Sequence, residues 1–199
     1  MVDNAAPLVL GIDLDGVCVD TYERLRHVAA EWFERDADTL TPWVSFGLSE
    51  WGVRSPQEHA DLLRFAVTQR DLFGSAPPMA GARRVLRRLS HEGHRVRIIA
   101  RRLALANEPA VVARQTLAWL DLHAIPYTDV CFTDGSTEVG ADIYVDDAPD
   151  EIARLRGAGC FAICFGNSTN EHVANPRAMG WDEVYRFVRE RARAARDAG

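Results

Sequence analysis

Two pairs of acids carry the chemistry this chain could do. Asp13 and Asp15 lie two residues apart in LVLGIDLDGVCVD, residues 8–20, where an apolar run ends, with Gly16 directly behind them. Asp146 and Asp147 end a second apolar run in DIYVDDAPDEI, residues 142–152, just before Pro149. Two residues of extended chain put Asp13 and Asp15 on the same side. Carboxylates crowded at a strand end are costly unless a cation or a proton lies between them. A hard divalent cation suits them, and magnesium takes one or two carboxylates completed by waters and phosphate oxygens. One acid can then attack phosphorus while the other handles the proton. Either pair alone also fits a helix N-cap or a turn acid. Both pairs together, on two strands of one sheet, favour a metal site. Gly16 allows the sharp turn and close backbone approach such a site needs.

The elements that must position these acids alternate. Short apolar runs at residues 8–12, 96–99, 130–132, 143–145 and 161–165 read as strands buried on both faces of a parallel sheet. Helical patterns fall between them. GARRVLRRLSHEGH puts Val85, Leu86 and Leu89 on one face and stops at Gly93. A second helix starts near Asn107 or Glu108, with Pro109 in its first turn. Residues 150–156 form a short helix ending at Gly157, and residues 181–198 a last, arginine-rich amphipathic one. This alternation predicts a doubly wound, Rossmann-like α/β domain. Ligands in such sheets bind at the carboxyl ends of the strands, where Asp13 and Asp146 fall.

Residues 17–79 break the alternation. They hold two helical patterns, 21–35 and 56–72, the second with Ser55 as N-cap and Pro56 at its first position. An aromatic, turn-rich stretch, TPWVSFGLSEWG, separates them. The expected organisation is an α/β core of residues 1–16 and 80–199 with a helical cap of residues 17–79 inserted after the first strand.

The totals exclude several classes. The chain has 199 residues, 47% of them hydrophobic, enough to build a core without staples. Net charge is −6 and no basic stripe is visible, which argues against a nucleic-acid polymer as partner. All 23 basic residues are arginine, a bias that GC-rich coding accounts for. Cys18, Cys131, Cys160 and Cys164 form no CxxC pair and read as buried thiols in a reducing cytosol. The N-terminus has no basic region, and no segment nears the ~18 apolar residues of a membrane helix. The expectation is a cytoplasmic protein with no membrane partner.

The residues carry a resemblance. DLDGV at residues 13–17 and VDDAP at 145–149 resemble the first and fourth motifs of the haloacid dehalogenase (HAD) superfamily. The second half, TLAWLDLHAIPYTDVCF through VGADIYVDDAPDEIARLRGAG, is similar to its 5′(3′)-deoxyribonucleotidase-like group, the cytosolic 5′-nucleotidase type C-like proteins. The helical insertion falls where that group carries its C1 cap. The resemblance implies a phosphatase of the nucleotidase kind acting on a small phosphorylated substrate, with a homodimer as one assembly open to it. It makes Asp13 the nucleophile of an aspartyl-phosphate and Asp15 the general acid and base. It implies magnesium held by the Asp13 side chain, the Asp15 backbone carbonyl and Asp146, with Asp147 acting through water. It also favours phosphoryl transfer over dehalogenation, because the dehalogenase branch lacks the second acid.

Two motif positions depart from the resemblance. A Ser or Thr is expected at the end of the second strand, where Ala100 stands; a Lys is expected before the fourth, where Ser136 stands. Arg101 and Arg102 follow Ala100 and could supply the missing donors, or be solvated loop residues. Ser136 and Thr133 are hydroxyl candidates, and Gly16 lies against the expected phosphate. Among the cap aromatics Trp32, Phe33, Trp43, Phe46 and Trp51, the last three are the better candidates to contact a ligand. Two alternatives to a nucleotidase stay open at this point: an impaired relative that binds a phosphorylated ligand or partner, and a specialised biosynthetic enzyme on the same scaffold.

Overall fold

The computed structural model describes residues 7–103 and 108–197. Five strands fall where apolar runs predict them: β1 (Val9–Asp13), β2 (Arg95–Ala100), β3 (Asp129–Phe132), β4 (Ile143–Asp146) and β5 (Ala162–Phe165). A sixth, β6 (Arg177–Ala178), extends the sheet. Two residues leave no periodicity to read, so the sequence gives no warning of it. The strand order is β3-β2-β1-β4-β5-β6, and every pairing is parallel. The order reverses between β1 and β4, the place where open α/β sheets bind ligands.

Parallel strands require crossovers, and helices cover both faces. The helix α4 (Ala82–His91) lays Val85, Leu86 and Leu89 against Leu10, Ile12, Ile98 and Ile163. Gly93 follows it at φ 93°, a conformation glycine adopts without strain. The C-terminal helix α7 (Trp181–Asp197) adds Trp181, Val184 and Val188 to the same cluster. Residue 198, the expected end of that helix, lies outside the described residues. The opposite face packs Tyr144 and Cys164 under Ile152 and Leu155 of α6 (Pro149–Gly157). Each aliphatic side chain fully buried in this way contributes about 1.5–3 kcal/mol. Between β2 and β3 runs α5 (Pro109–Leu122), with Pro109 in its first turn and Glu108 at its N-cap; Asn107 lies outside the described residues. The four cysteines are free; Cys18 and Cys164 are buried, while Cys131 and Cys160 are half-buried rather than fully enclosed.

The inserted segment is helical. In it α1 (Thr21–Trp32) starts at Asp20, whose carboxylate accepts from the Glu23 N–H. It ends at Trp32 rather than at residue 35 because Glu34 turns to φ 51°. The second helix, α2 (Pro56–Arg70), starts at Ser55, which accepts from the Glu58 N–H at 3.1 Å. Asp71, at φ 47°, separates it from the short α3 (Leu72–Ser75), so the expected single helix over 56–72 is two. Leu25, Val28, Trp51, Leu62, Val67 and Phe73 form a cluster apart from the sheet, joined by Val112 of α5. The flanks of the segment behave differently: Val17, Cys18, Val19 and Ala76 pack into the sheet core.

Candidate active site

Adjacent pairing of β1 and β4, with Ile12 opposite Val145, brings Asp13 and Asp146 side by side at the strands' carboxyl ends. Asp147 follows in the turn into α6. Carboxylate oxygens of Asp13, Asp146 and Asp147 lie within 4.8 Å of one another. All three residues are buried. Gly16 has φ 71°, and a Cβ there would run into the Asp147 carboxylate. Any side chain at residue 16 would therefore push the turn off the acids.

Burial sets the electrostatics. It raises the Asp13 carboxyl well above its usual range, with the Asp146 charge adding to it and Arg101 opposing. Burial raises Asp146 in the same way, against the pull of Arg101. Asp147 is pushed up to about 8 by burial and by Asp13, although Asn167 donates to its Oδ2 at 2.7 Å. Three buried carboxylates so close cannot all be ionised without a cation between them. The donor set is all oxygen, which fits a hard divalent ion.

Asp15 stands apart from this cluster. One of its oxygens accepts from Thr21 Oγ1. Its carboxylate is held by Arg102, Nε at 2.6 Å and Nη2 at 2.7 Å. The Arg102 side chain is fully buried, donates to Thr116 Oγ1 at 3.0 Å, and lies 4.1 Å over the Phe73 ring. Arg102 is thus committed to aiming Asp15. Arg101, its neighbour, turns the other way. Its Nη2 lies 2.8 Å from Asp146 Oδ1 and 3.4 Å from Asp13 Oδ1, and its Nη1 lies 3.7 Å from Glu151 Oε2. Neither arginine is a solvated loop residue.

Ala100 is buried at the end of β2 and brings no side-chain donor. Ser136 is also buried. Its backbone N–H donates to Glu151 Oε1 at 3.0 Å, and its Oγ has no partner among the described residues. The hydroxyl of Thr133 donates to the Gly135 carbonyl in the turn after β3.

A cavity of about 270 Å³ opens from the acids toward the inserted helices. Asp13, Asp15, Arg101 and Asp147 line one end, and Leu25, Phe46, Leu48, His59, Leu63 and Phe73 line the rest. Burial lowers the His59 pKa, which keeps its imidazole neutral near pH 7. Of the three aromatic candidates only Phe46 reaches this cavity. Trp51 is buried in the helical cluster, with Nε1 on the Thr41 carbonyl at 2.8 Å. Trp43 is 65% exposed and faces a separate crevice. Trp32 packs on Phe65, with ring centroids 5.1 Å apart and the planes tilted by 53°, and Phe33 packs on the helical cluster.

Sequence reasoning missed Thr21, Thr116, Asn167, Glu151 and His59. Asn167 had a signal, since it lies two residues past the β5 strand end. The others take their places from tertiary packing alone.

An all-parallel sheet with acids at its switch point, under inserted helices, is the architecture of HAD-type hydrolases. Solved structures agree on the fold. A haloacid dehalogenase-like hydrolase, SP0104 from Streptococcus pneumoniae, superposes with TM-score 0.62 at 12% identity, covering 92% of this chain and 98% of that one. A predicted phosphatase from Clostridium acetobutylicum gives TM-score 0.60 at 15% identity, covering 93% and 100%. The family profile "5' nucleotidase, deoxy (Pyrimidine), cytosolic type C protein" matches residues 7–195, and the chain belongs to that family. It is 53% identical over 182 residues to a protein of Chlorobaculum tepidum named "Putative 5'(3')-deoxyribonucleotidase", covering 92% of this chain and 90% of the relative. The chain is therefore a phosphoric monoester hydrolase of the nucleotidase type.

Proposed function

We propose that this protein hydrolyses deoxyribonucleoside monophosphates with magnesium, through a phosphorylated Asp13. The observation that carries this reading is the division of the acids: Asp13, Asp146 and Asp147 share one buried cluster, while Asp15 is held apart by Arg102 and Thr21. Magnesium at Asp13, Asp146 and the Asp15 backbone carbonyl, with Asp147 through water, would neutralise the carboxylates and the phosphoryl oxygens. An Asp13 oxygen attacks phosphorus, and the ester P–O bond breaks. Asp15 gives its proton to the leaving alkoxide. Asp15 then takes a proton from the water that attacks the phosphorylated Asp13, and orthophosphate leaves. Arg101 supplies the positive charge that Ala100 and Ser136 do not, which favours turnover over a non-catalytic role. Phosphoryl transfer depends on such charge and positioning more than on covalent chemistry by the protein. Gly16 lets the phosphoryl group approach the backbone. Residues 17–79 act as the cap, and their apolar cavity wall receives the nucleoside. We place the protein in the cytoplasm, acting on a small diffusible substrate; among the described residues no helix is long and apolar enough to cross a membrane.

The test is a panel of phosphate esters with and without magnesium, with Asp13→Asn as control. Beryllium fluoride should form its adduct on Asp13. Full activity in Asp13→Asn, or an adduct on another residue, would remove this mechanism.

A further inference from the structure

The loop after β5 reads Asn167-Ser168-Thr169-Asn170 and sits at the carboxyl end of the sheet, where the acids are. Asn170 holds it rigid. Its fully buried side chain donates to the carbonyls of Phe165 at 2.8 Å and Asp147 at 2.7 Å, and accepts from Arg177 at 2.6 Å and from the Asn167 N–H at 2.9 Å. On that frame two consecutive side chains, Asn167 and Ser168, reach two different parts of the molecule. Asn167 Nδ2 donates to Asp147 Oδ2 at 2.7 Å. Ser168 Oγ donates to the Val44 carbonyl at 3.1 Å and accepts from the Val44 N–H at 3.2 Å, across 124 residues of chain. Thr169 stays within the loop, its Oγ1 donating to Asn167 Oδ1 at 2.7 Å.

Val44 is the buried point of a loop whose neighbours Trp43 and Phe46 are 65% and 70% exposed. That loop delivers Phe46 and Leu48 to the cavity wall. Val44 and Leu48 pack into the helical cluster and Phe46 meets the His59 ring at 6.3 Å, contacts that do not by themselves give this loop a fixed position against the loop after β5. A serine hydroxyl that closes both backbone groups of one residue supplies one, and a misplacement of ~1 Å is enough to cost catalysis.

We infer that Ser168 is a positioning residue for substrate selection: it fixes the loop bearing Phe46 and Leu48 in register with the acid that Asn167 holds. What fills the cavity rests on the nucleotidase reading above; the tie itself does not. The test compares wild type with S168A and S168T. One arm measures amide hydrogen exchange over residues 43–48. The other measures kcat and KM for a deoxyribonucleoside monophosphate and for deoxyribose 5-phosphate, which has no base to meet Phe46. In S168A, exchange should speed about tenfold, and the preference for the base-bearing ester should fall about tenfold, mainly through KM. S168T, which keeps the hydroxyl, should restore both. Unchanged exchange in S168A overturns the tie. Faster exchange with an unchanged preference overturns its role in selection. If wild type hydrolyses neither ester, the selection role falls with the nucleotidase reading, and the exchange arm still decides the tie.

Discussion

Arg101 and Arg102 are neighbours in sequence with separate tasks, and side-chain direction separates them. Arg102 points into the protein, where two nitrogens grip Asp15 and a third reaches Thr116. Arg101 points at Asp13, Asp146 and Glu151. Of the two arginines that could replace the missing donors, Arg101 is the one that lies against the carboxylate cluster, and Arg102 is taken up by Asp15. Ala100→Thr with Ser136→Lys should then raise the rate less than ~3-fold, since Arg101 already lies against Asp13, Asp146 and Glu151, and Glu151 is the carboxylate that Ser136 meets. Arg101→Ala should lower kcat by ~10²-fold or more, the usual worth of one donor to a developing charge. Kinetics of both variants on one ester check this; a large gain in the first with little loss in the second would reverse the assignment. Arg102→Ala acts through Asp15, so its loss should depend on the leaving group. Alkyl phosphates, whose leaving oxygen needs a proton, should suffer more than p-nitrophenyl phosphate, whose leaving group needs little help. An equal loss on both would make Arg102 a general structural support.

At the scale of elements, legibility follows the range of the force that places each part. The buried strands and amphipathic helices of the sheet were readable because local periodicity and burial coincide, as in Val85, Leu86 and Leu89 of α4. The acids were readable because a carboxylate ending an apolar run is a local anomaly. The segment 17–79 was readable as helical, but not in its breaks: Glu34 and Asp71 take positive φ without the glycine that would announce it. Nor could sequence sort the aromatic stretch, because which ring is buried depends on helices that contact it through space. Trp51 fills the helical cluster and Phe46 the cavity, though both stand in one turn-rich run. Trp51→Ala should therefore act on stability, costing about 3–5 kcal/mol as a buried large-to-small change. Phe46→Ala, at an exposed ring, should leave the melting temperature nearly unchanged and alter relative rates among phosphate esters. Thermal melts set beside a substrate panel separate the two, and the opposite pattern would exchange their roles.

For the whole molecule, the buried acid cluster makes stability depend on pH and on cations together. In the folded, cation-free protein Asp13, Asp146 and Asp147 keep protons that an unfolded chain, with carboxyls near ~3.9, has lost. The folded state then binds more protons than the unfolded one, so unfolding free energy falls as pH rises. The fall spans the window from roughly pH 4 to the Asp147 value of about 8. A divalent cation on the same carboxylates removes their need for protons and binds the folded state alone. At ~100 times its dissociation constant it should add about 2.7 kcal/mol, which for a chain of this size raises the melting temperature by roughly 5–10 °C. The gain should be largest near pH 8 and shrink toward pH 5, where protons compete for the oxygens. Melting curves with magnesium and with chelator across that range provide the measurement, and Asp146→Ala should abolish most of the difference. A magnesium-dependent shift that survives in Asp146→Ala would place the cation elsewhere, and no shift in wild type at any pH would remove the metal from the cluster.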